Sequence, residues 1–470
     1  MTAVAGDRTA IGKGEAGLRQ LDALGPNGAY RAQHRFMVRD VAGVPVAELS
    51  LVPKLYVTRA MSALHRATTL PAEARITALA KAAELFAHGT VAGQSAGEYE
   101  YLVSRVSGMP ISVVRAATAS TAEAARHADA SALQGRPRGA ATDWREPQTL
   151  TGHAVWTRRG DVFAVHAAGN HPGVHGLWLE ALALGYRVAL RPSRREPFTP
   201  HRLISALREA GFGADRAVLL PTDYDVADEM LRGADLGMAY GGDDVMAKYA
   251  HDTTVLPQGP GRSKILVTAD QDWREHVDTI VDSISQQGGT TCINATAVLV
   301  EGDPAPLAEA IASRLSGLPS LPPQDDRAVL PVQPVEEARR FEKFLLDKAA
   351  DARAWLGGDA IVDELGDGSA ALRPAVHQVD RSDAPQVKVE LPFPCVWVAP
   401  WRPEEGAAPL RDSLVVTAIT GHTALVDELI GEATISNVYV GDHPTCWFVP
   451  GIPHDDYLSS FLMRAKAVIT

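Results

Sequence analysis

A doubly wound α/β protein with a second α/β unit is predicted, on three observations. Five short apolar runs alternate with amphipathic stretches between Asp161 and Val267, and strands alternating with helices this closely imply a parallel sheet. A further strand–helix–strand pattern opens near Ser263. The chain has 470 residues, too many for one ordinary core, so two or three domains are expected.

The apolar runs are VFAV (162–165), RVAL (187–190), AVLL (217–220), LGMAY (236–240) and TTVL (253–256). Each is brief and bounded by Gly, Pro or Asp, as a strand buried on both faces would be. The clearest helix between them takes Thr199 as N-cap and Pro200 as first helical residue. It puts Leu203, Ile204 and Leu207 on one face and stops at Gly211. Such a sheet binds ligands at the carboxyl ends of its strands, so the loops after Val165 and Leu190 are the places to look. Upstream, Ile76, Leu79, Ala80, Ala83 and Phe86 follow the helical period, and Gly89 stops it. From Leu133 to Trp156 the period is lost, and a hairpin or a linker is expected there.

The second unit begins with SKILV as a strand. Val277, Ile280, Val281 and Ile284 then form a helix face that ends at Gly288-Gly289, and ATAVLV reads as the next strand. Thr291 and Cys292 therefore sit on a tight loop between helix and strand. The tail from Pro444 is rich in aromatic and apolar residues, which suggests a subunit contact.

Composition narrows the function. The chain is 46% hydrophobic and 22% charged, so it is globular rather than disordered. A formal net charge of −12 argues against nucleic acid as a partner, because phosphate binding rests on a basic surface. The first 17 residues lack the apolar run of a secretory leader, and no stretch suits a membrane span. Three widely separated cysteines, Cys292, Cys395 and Cys446, favour neither a disulfide framework nor a zinc cluster. A cytoplasmic enzyme with one useful thiol is expected.

Five segments, in order, resemble motifs of the aldehyde dehydrogenase superfamily: AAGNHP (167–172), RPSRREPFTP (191–200), QGPGRSKILV (258–267), GGTTC (288–292) and ELPFPC (390–395). The resemblance covers roughly residues 40–470. It implies the aldehyde dehydrogenase fold: a Rossmann-like cofactor domain (1–132 and 157–260), a catalytic domain (261–437), and bridging or oligomerisation elements (133–156 and 438–470) of a homodimer or homotetramer. It also implies Cys292 as the nucleophile that forms a thiohemiacetal and then a thioester, and Asn170 as oxyanion donor. Glu390 would hold the nicotinamide ribose; Arg191, Ser193 and Arg194 would hold the adenosine side. The family's Phe-Thr-Gly-Ser segment stands here as Ala239-Tyr240-Gly241-Gly242. Its pyrophosphate Ser is missing, which leaves backbone N–H groups at the next helix start. Guanidinium groups at 191 and 194 attract a 2′-phosphate, so NADP is expected over NAD.

The main departure is Gln258, where hydrolytic members carry a Glu that activates water. An amide cannot accept that proton. Either coenzyme A or a carrier thiol takes the acyl group, or the reaction runs in reverse as acyl-thioester reduction, or another base such as Glu390 or His171 serves. QGPGRS is similar to the equivalent stretch of the fatty acyl-CoA reductases of bacterial luminescence, which lack the Glu. Two other readings compete with a thiol enzyme. His166, His171 and His175 could ligate a metal, although they straddle strand, loop and helix. The tail could serve a non-catalytic scaffold subunit. Neither Trp178 nor Trp447 can be placed against a substrate tunnel from sequence.

Overall fold

The structure is a computed structural model that describes residues 18–146, 149 and 152–469. The reading of residues 1–17 lies outside it, as do residues 147, 148, 150 and 151 of the expected bridging segment and residue 470 of the tail.

Two seven-stranded sheets organise the chain. In the first, the order is Val255–Gln258, Leu236–Tyr240, Val162–His166, Arg187–Arg191, Ala217–Leu219, Ala23–Gly25 and Gly28–Tyr30. The five strands from Val162 to Gln258 run parallel, and the two short N-terminal strands add antiparallel at one edge. Alternate side chains serve opposite faces. Phe163, Val165, Val188 and Leu190 pack into one core with Trp178 and Leu203. Val162, Ala164, Ala189 and Val218 pack into another with Val57, Met61 and Met230. Burial on both faces explains why these strands read as unbroken apolar runs. Each large buried side chain contributes about 1.5–3 kcal/mol.

The chain leaves Val162–His166 toward one side of this sheet and returns at Leu236–Tyr240 on the other. The order therefore reverses between these two neighbours, and a crevice opens beyond their carboxyl ends. Residues 259–262 carry the chain into the second sheet. Its order is Arg353–Leu356, Ala375–Gln378, Cys395–Trp401, Ala295–Glu301, Ser263–Val267, Ser413–Ile419 and Ile435–Val440, parallel but for the Arg353–Leu356 edge. Here too neighbours alternate: Ala297 and Leu299 face one core, Val298 and Val300 the other. A separate two-stranded ribbon pairs Ala154–Arg158 with Met463–Ala467, so the tail is stitched to the segment entering the first sheet. No helix among the described residues is long and apolar enough to cross a membrane.

Several local expectations are corrected. The helix expected from Thr199 begins at Phe198. Its cap is the Glu196 carboxylate, which accepts from Thr199 N at 2.9 Å, while the Thr199 hydroxyl meets Tyr99 Oη at 2.9 Å. The strand expected at 253–256 lies at Val255–Gln258, because Asp252 takes Thr254 N (2.9 Å) and Oγ1 (2.6 Å) into a turn. Pro257 is tolerated there because the strand is an edge. The helix Ala72–His88 buries Leu79, Ala83 and Phe86 as expected, but turns Ile76 and Ala80 to solvent. The expected loss of helix at Leu133 comes after Gln134, where the helix from Ile111 ends.

Candidate active site

A cavity of about 880 Å³ fills the crevice between the two sheets. Into it come Ala167 to Asn170 after one first-sheet strand, and Arg191, Ser193, Arg194 and Arg195 at the end of the next. From the second half come Cys292, Glu390 and His454. Of the catalytic and cofactor residues expected from sequence, all line it except Gly242, which is the N-cap of the short helix Asp243–Tyr249. His171, the alternative base, does not line it either.

The thiol sits on a loop shaped by unusual backbone. After the helix Val277–Ser285, Gln287, Gly288 and Gly289 take φ of 57°, 72° and 64°. A Cβ on Gly289 would stand 2.5 Å from Pro394 N, so the GGTTC loop docks against the ELPFPC segment with no room for a side chain. Asn294 ties the loop down. Its Oδ1 accepts from Thr291 N (3.0 Å) and Oγ1 (2.7 Å), and its Nδ2 donates to Ser283 and Gln286 carbonyls. The Cys292 carbonyl accepts from Ser263 Oγ at 3.0 Å. It lies 1.7 Å from where a Cβ of Gly261 would be. Cys292 is partly accessible, whereas Cys395 and Cys446 are buried. Burial pushes the Cys446 thiol up to about 12, so of the three cysteines Cys292 is the one a substrate can reach.

Facing the thiol loop, Asn170 Nδ2 donates to Thr290 O at 3.1 Å. One of its two amide hydrogens is thereby used and the other is left for a ligand. Gly169 allows this approach, since a Cβ there would lie 2.3 Å from Ser193 Oγ. Gln258 ends the edge strand, buried, and its carbonyl accepts from Gly241 N at 3.0 Å. Glu390 accepts from Arg262 N at 2.8 Å; burial nevertheless raises its pKa. Arg262 holds a left-handed φ of 47°, a conformation that costs a non-glycine residue of order 1 kcal/mol and clusters at functional sites. Its guanidinium grips Asp243 through both carboxylate oxygens, each at 2.7 Å.

At the far end, Arg191 Nε donates to Thr222 Oγ1 at 3.1 Å, and its guanidinium lies 4.9 Å from the Tyr224 ring. Arg194 pairs with Asp223 and stacks near Phe36 and Tyr224. Sequence shows only guanidinium groups at this corner; the fold brings a carboxylate back to it. Two cations still face one anion there.

Two site residues escaped the sequence reading. His454 Nε2 lies 3.7 Å from Cys292 Sγ, and its Nδ1 lies 3.2 Å from Asp455 Oδ2. The His454 carbonyl is held by Asn437 Nδ2. Burial alone would lower the His454 pKa. Hydrogen bonds to Asp455 and Cys292, with the charges of both, outweigh it and raise the value to about 10. A pair separated by 162 residues leaves no local pattern; the only signal was a His-Asp dipeptide in a tail read for its apolar residues.

The other histidines are occupied separately. His171 Nδ1 accepts from Gly173 N at 3.0 Å, and His175 Nδ1 accepts from Trp178 Nε1 at 3.2 Å. Burial lowers His166 and His171 to about 4 and His175 to about 3, so all three stay neutral. His171 points its other nitrogen into the protein without a partner, a poor position for a base. Among the described residues no cluster of His, Cys, Asp or Glu could hold a metal ion. Trp178 is a core residue, and Trp447 packs edge-on against Tyr439.

An α/β protein with an accessible thiol at the switch point of one sheet and the loop edge of another is thus defined. Comparison gives its family. Residues 39–413 match the model of the aldehyde dehydrogenase family, and the chain belongs to it; it is an oxidoreductase acting on aldehydes. A stretch of 128 residues is 24% identical to the aldehyde-dehydrogenase-like protein y4uC of Sinorhizobium fredii. That stretch covers 26% of this chain and 25% of that protein. In fold, the chain is similar to the gamma-glutamyl-gamma-aminobutyraldehyde dehydrogenase of Burkholderia cenocepacia. The TM-score is 0.80 at 19% identity, with 95% of each chain covered. An indole-3-acetaldehyde dehydrogenase solved with NAD+ matches at TM-score 0.79 and 18% identity, again over 95% of each chain. A 3,6-anhydro-L-galactose dehydrogenase solved with NADP matches at 0.79 and 17%, over 96% of this chain and 99% of that one. Of the two competing readings, the scaffold subunit gives way to an enzyme.

The fold implies a nicotinamide dinucleotide, and the cavity wall fits one. Arg194 Nε and Arg262 Nε are buried there without hydrogen-bond partners, donors that a phosphate or a ribose oxygen would satisfy. The cavity volume lies within the range of cofactor sites.

Proposed function

We propose that the protein oxidises an aldehyde with NADP as acceptor, by covalent catalysis on Cys292. The observation that carries this reading is that the accessible thiol shares one cavity with Asn170, Glu390, Arg191, Ser193 and Arg194. The thiolate sulfur attacks the carbonyl carbon, a C–S bond forms, and the carbonyl oxygen takes up negative charge. The free N–H of Asn170 and the backbone N–H of Cys292 hold that oxyanion. When bound, NADP supplies the hydride acceptor. A thioester then remains on Cys292.

Glu390, braced by Arg262 N, would accept from the nicotinamide ribose, and Arg191, Ser193 and Arg194 would hold the adenosine side, with Gly241 and Gly242 near the pyrophosphate. Two guanidinium groups against one carboxylate support a 2′-phosphate, hence NADP over NAD. Part of the same reading is a homodimer or homotetramer in the cytoplasm. The exposed Ile430, Trp447 and Phe448 suit a subunit contact. A second reading, transfer of the acyl group to coenzyme A or reduction of an acyl thioester, draws on Gln258. The deciding experiment follows NADPH formation with an aldehyde panel, with and without coenzyme A. Turnover without thiol supports hydrolytic oxidation; turnover only with thiol supports the acylating reading; no turnover with either defeats both.

A further inference from the structure

We propose that His454, held by Asp455, is the general base both for Cys292 and for the water that releases its acyl group, the task Gln258 cannot perform. The proposal rests on Cys292 being the nucleophile.

Three observations point this way. The array is continuous: Sγ to Nε2 is 3.7 Å and Nδ1 to Asp455 Oδ2 is 3.2 Å. A carboxylate on Nδ1 fixes its hydrogen there and leaves the Nε2 lone pair toward the sulfur, the tautomer a base needs. Asn437 fixes the His454 backbone, and the Phe448 ring stands edge-on 6.4 Å from the imidazole, so the ring is held rather than loose. Finally, the alternatives are otherwise engaged: His171 is a buried neutral acceptor, and Glu390, in the same cavity, is bonded to Arg262 N.

The charge balance lets one residue do both jobs. In the free protein, four influences raise the imidazole's affinity for a proton, two from Asp455 and two from Cys292. The imidazole is thereby placed to take the Cys292 proton as the sulfur attacks. Once the sulfur is acylated, the two influences of Cys292 vanish, and His454 moves back toward a neutral base. Tyr240, whose pKa burial and the charges of Cys292 and Asp455 push up, stays a neutral phenol beside them. Arg262 and Glu390 face the pair across the same cavity.

The hydrolytic step then balances. His454 Nε2 takes one proton from water as the water oxygen bonds to the thioester carbon. The C–S bond breaks with its electrons on sulfur, and the products are the carboxylic acid and Cys292 restored with its imidazolium. Nothing is oxidised or reduced in this step. Asn170 holds the transient oxyanion as before.

The test uses the full chain and p-nitrophenyl acetate, with no nicotinamide present. Cys292 is acetylated, excess ester is removed, and decay of the acetyl group is followed by intact mass; alkylation of Cys292 by iodoacetamide is timed separately at neutral pH. In H454Q the acetyl group is expected to persist about 100-fold longer or more, and alkylation to slow. D455N is expected to slow both by a smaller factor. Added imidazole is expected to speed decay in H454A, which a folding defect would not permit. Wild-type decay in H454Q, or decay in the wild type only when coenzyme A is added, would overturn the assignment. Failure of the wild type to reduce NADP with any aldehyde would count against the oxidation reading alone.

Discussion

The two walls of the cavity are made in different ways. The first-sheet wall is local: Asn170, Arg191, Ser193 and Arg194 lie within a few residues of the ends of adjacent parallel strands. The register of those strands sets their positions almost by itself. The second wall is assembled from afar. Cys292, Glu390 and His454 come from three loops, and their fit depends on Gly261 and Gly289, where a single added carbon would meet backbone. A wall set by strand register tolerates side-chain exchange and changes what it binds. A wall set by loop-on-loop contact has one arrangement and loses chemistry when any member moves.

Four measurements can break or sharpen this contrast. The largest effect is expected from Cys292→Ala, which should bring aldehyde turnover below detection while cofactor quenching of tryptophan fluorescence persists; Cys395 and Cys446 are buried and cannot substitute. Retained turnover would end the thiol mechanism. Gly261→Ala comes next. Its Cβ would meet the Cys292 carbonyl, so turnover should fall about 100-fold, the scale of a misplacement near 1 Å. An unchanged rate would mean the loop yields easily and the contrast is false. Arg194→Glu should move the NADP-to-NAD preference about tenfold toward NAD, with little change in turnover under saturation. A constant preference would sink the 2′-phosphate argument.

The smallest effect concerns stability and pH. Burial holds His166, His171, His201 and His377 near 4 and His175 near 3. Their unfolded pKa is about 6.5, so between these values the unfolded chain binds more protons and stability falls as pH drops. Glu180 and Glu196 are raised to about 8 and about 7 and act in the opposite sense. Glu100 and Glu390, also raised by burial, join them; five imidazoles outweigh four carboxylates, so the melting temperature should decline from pH 6.5 to 4.5. A flat profile would refute the burial of these imidazoles.

The same contrast governs what the sequence discloses. The first-sheet strands are readable because burial on two faces demands unbroken apolar runs, and the loops after Val165 and Leu190 do line the cavity. Local capping is harder. Glu196 rather than Thr199 caps the helix at Phe198, and Asp252 shifts the edge strand by two residues. Their side chains choose among several nearby N–H groups, and the tertiary packing decides. Asp223 beside Arg194, and His454 beside Cys292, were not readable at all. Contacts across loops carry no periodicity, and only the folded chain pairs them.

The tail ribbon at Met463–Ala467, paired with Ala154–Arg158, has a consequence during synthesis. The segment bearing Cys292 emerges 162 residues before His454, which at ribosomal speed is a delay of about ten to thirty seconds. Throughout that interval the nascent thiol has no imidazole beside it. If His454 is the base, the sulfur gains full nucleophilicity only once the tail has been made and laced down, so the unfinished chain is spared stray acylation.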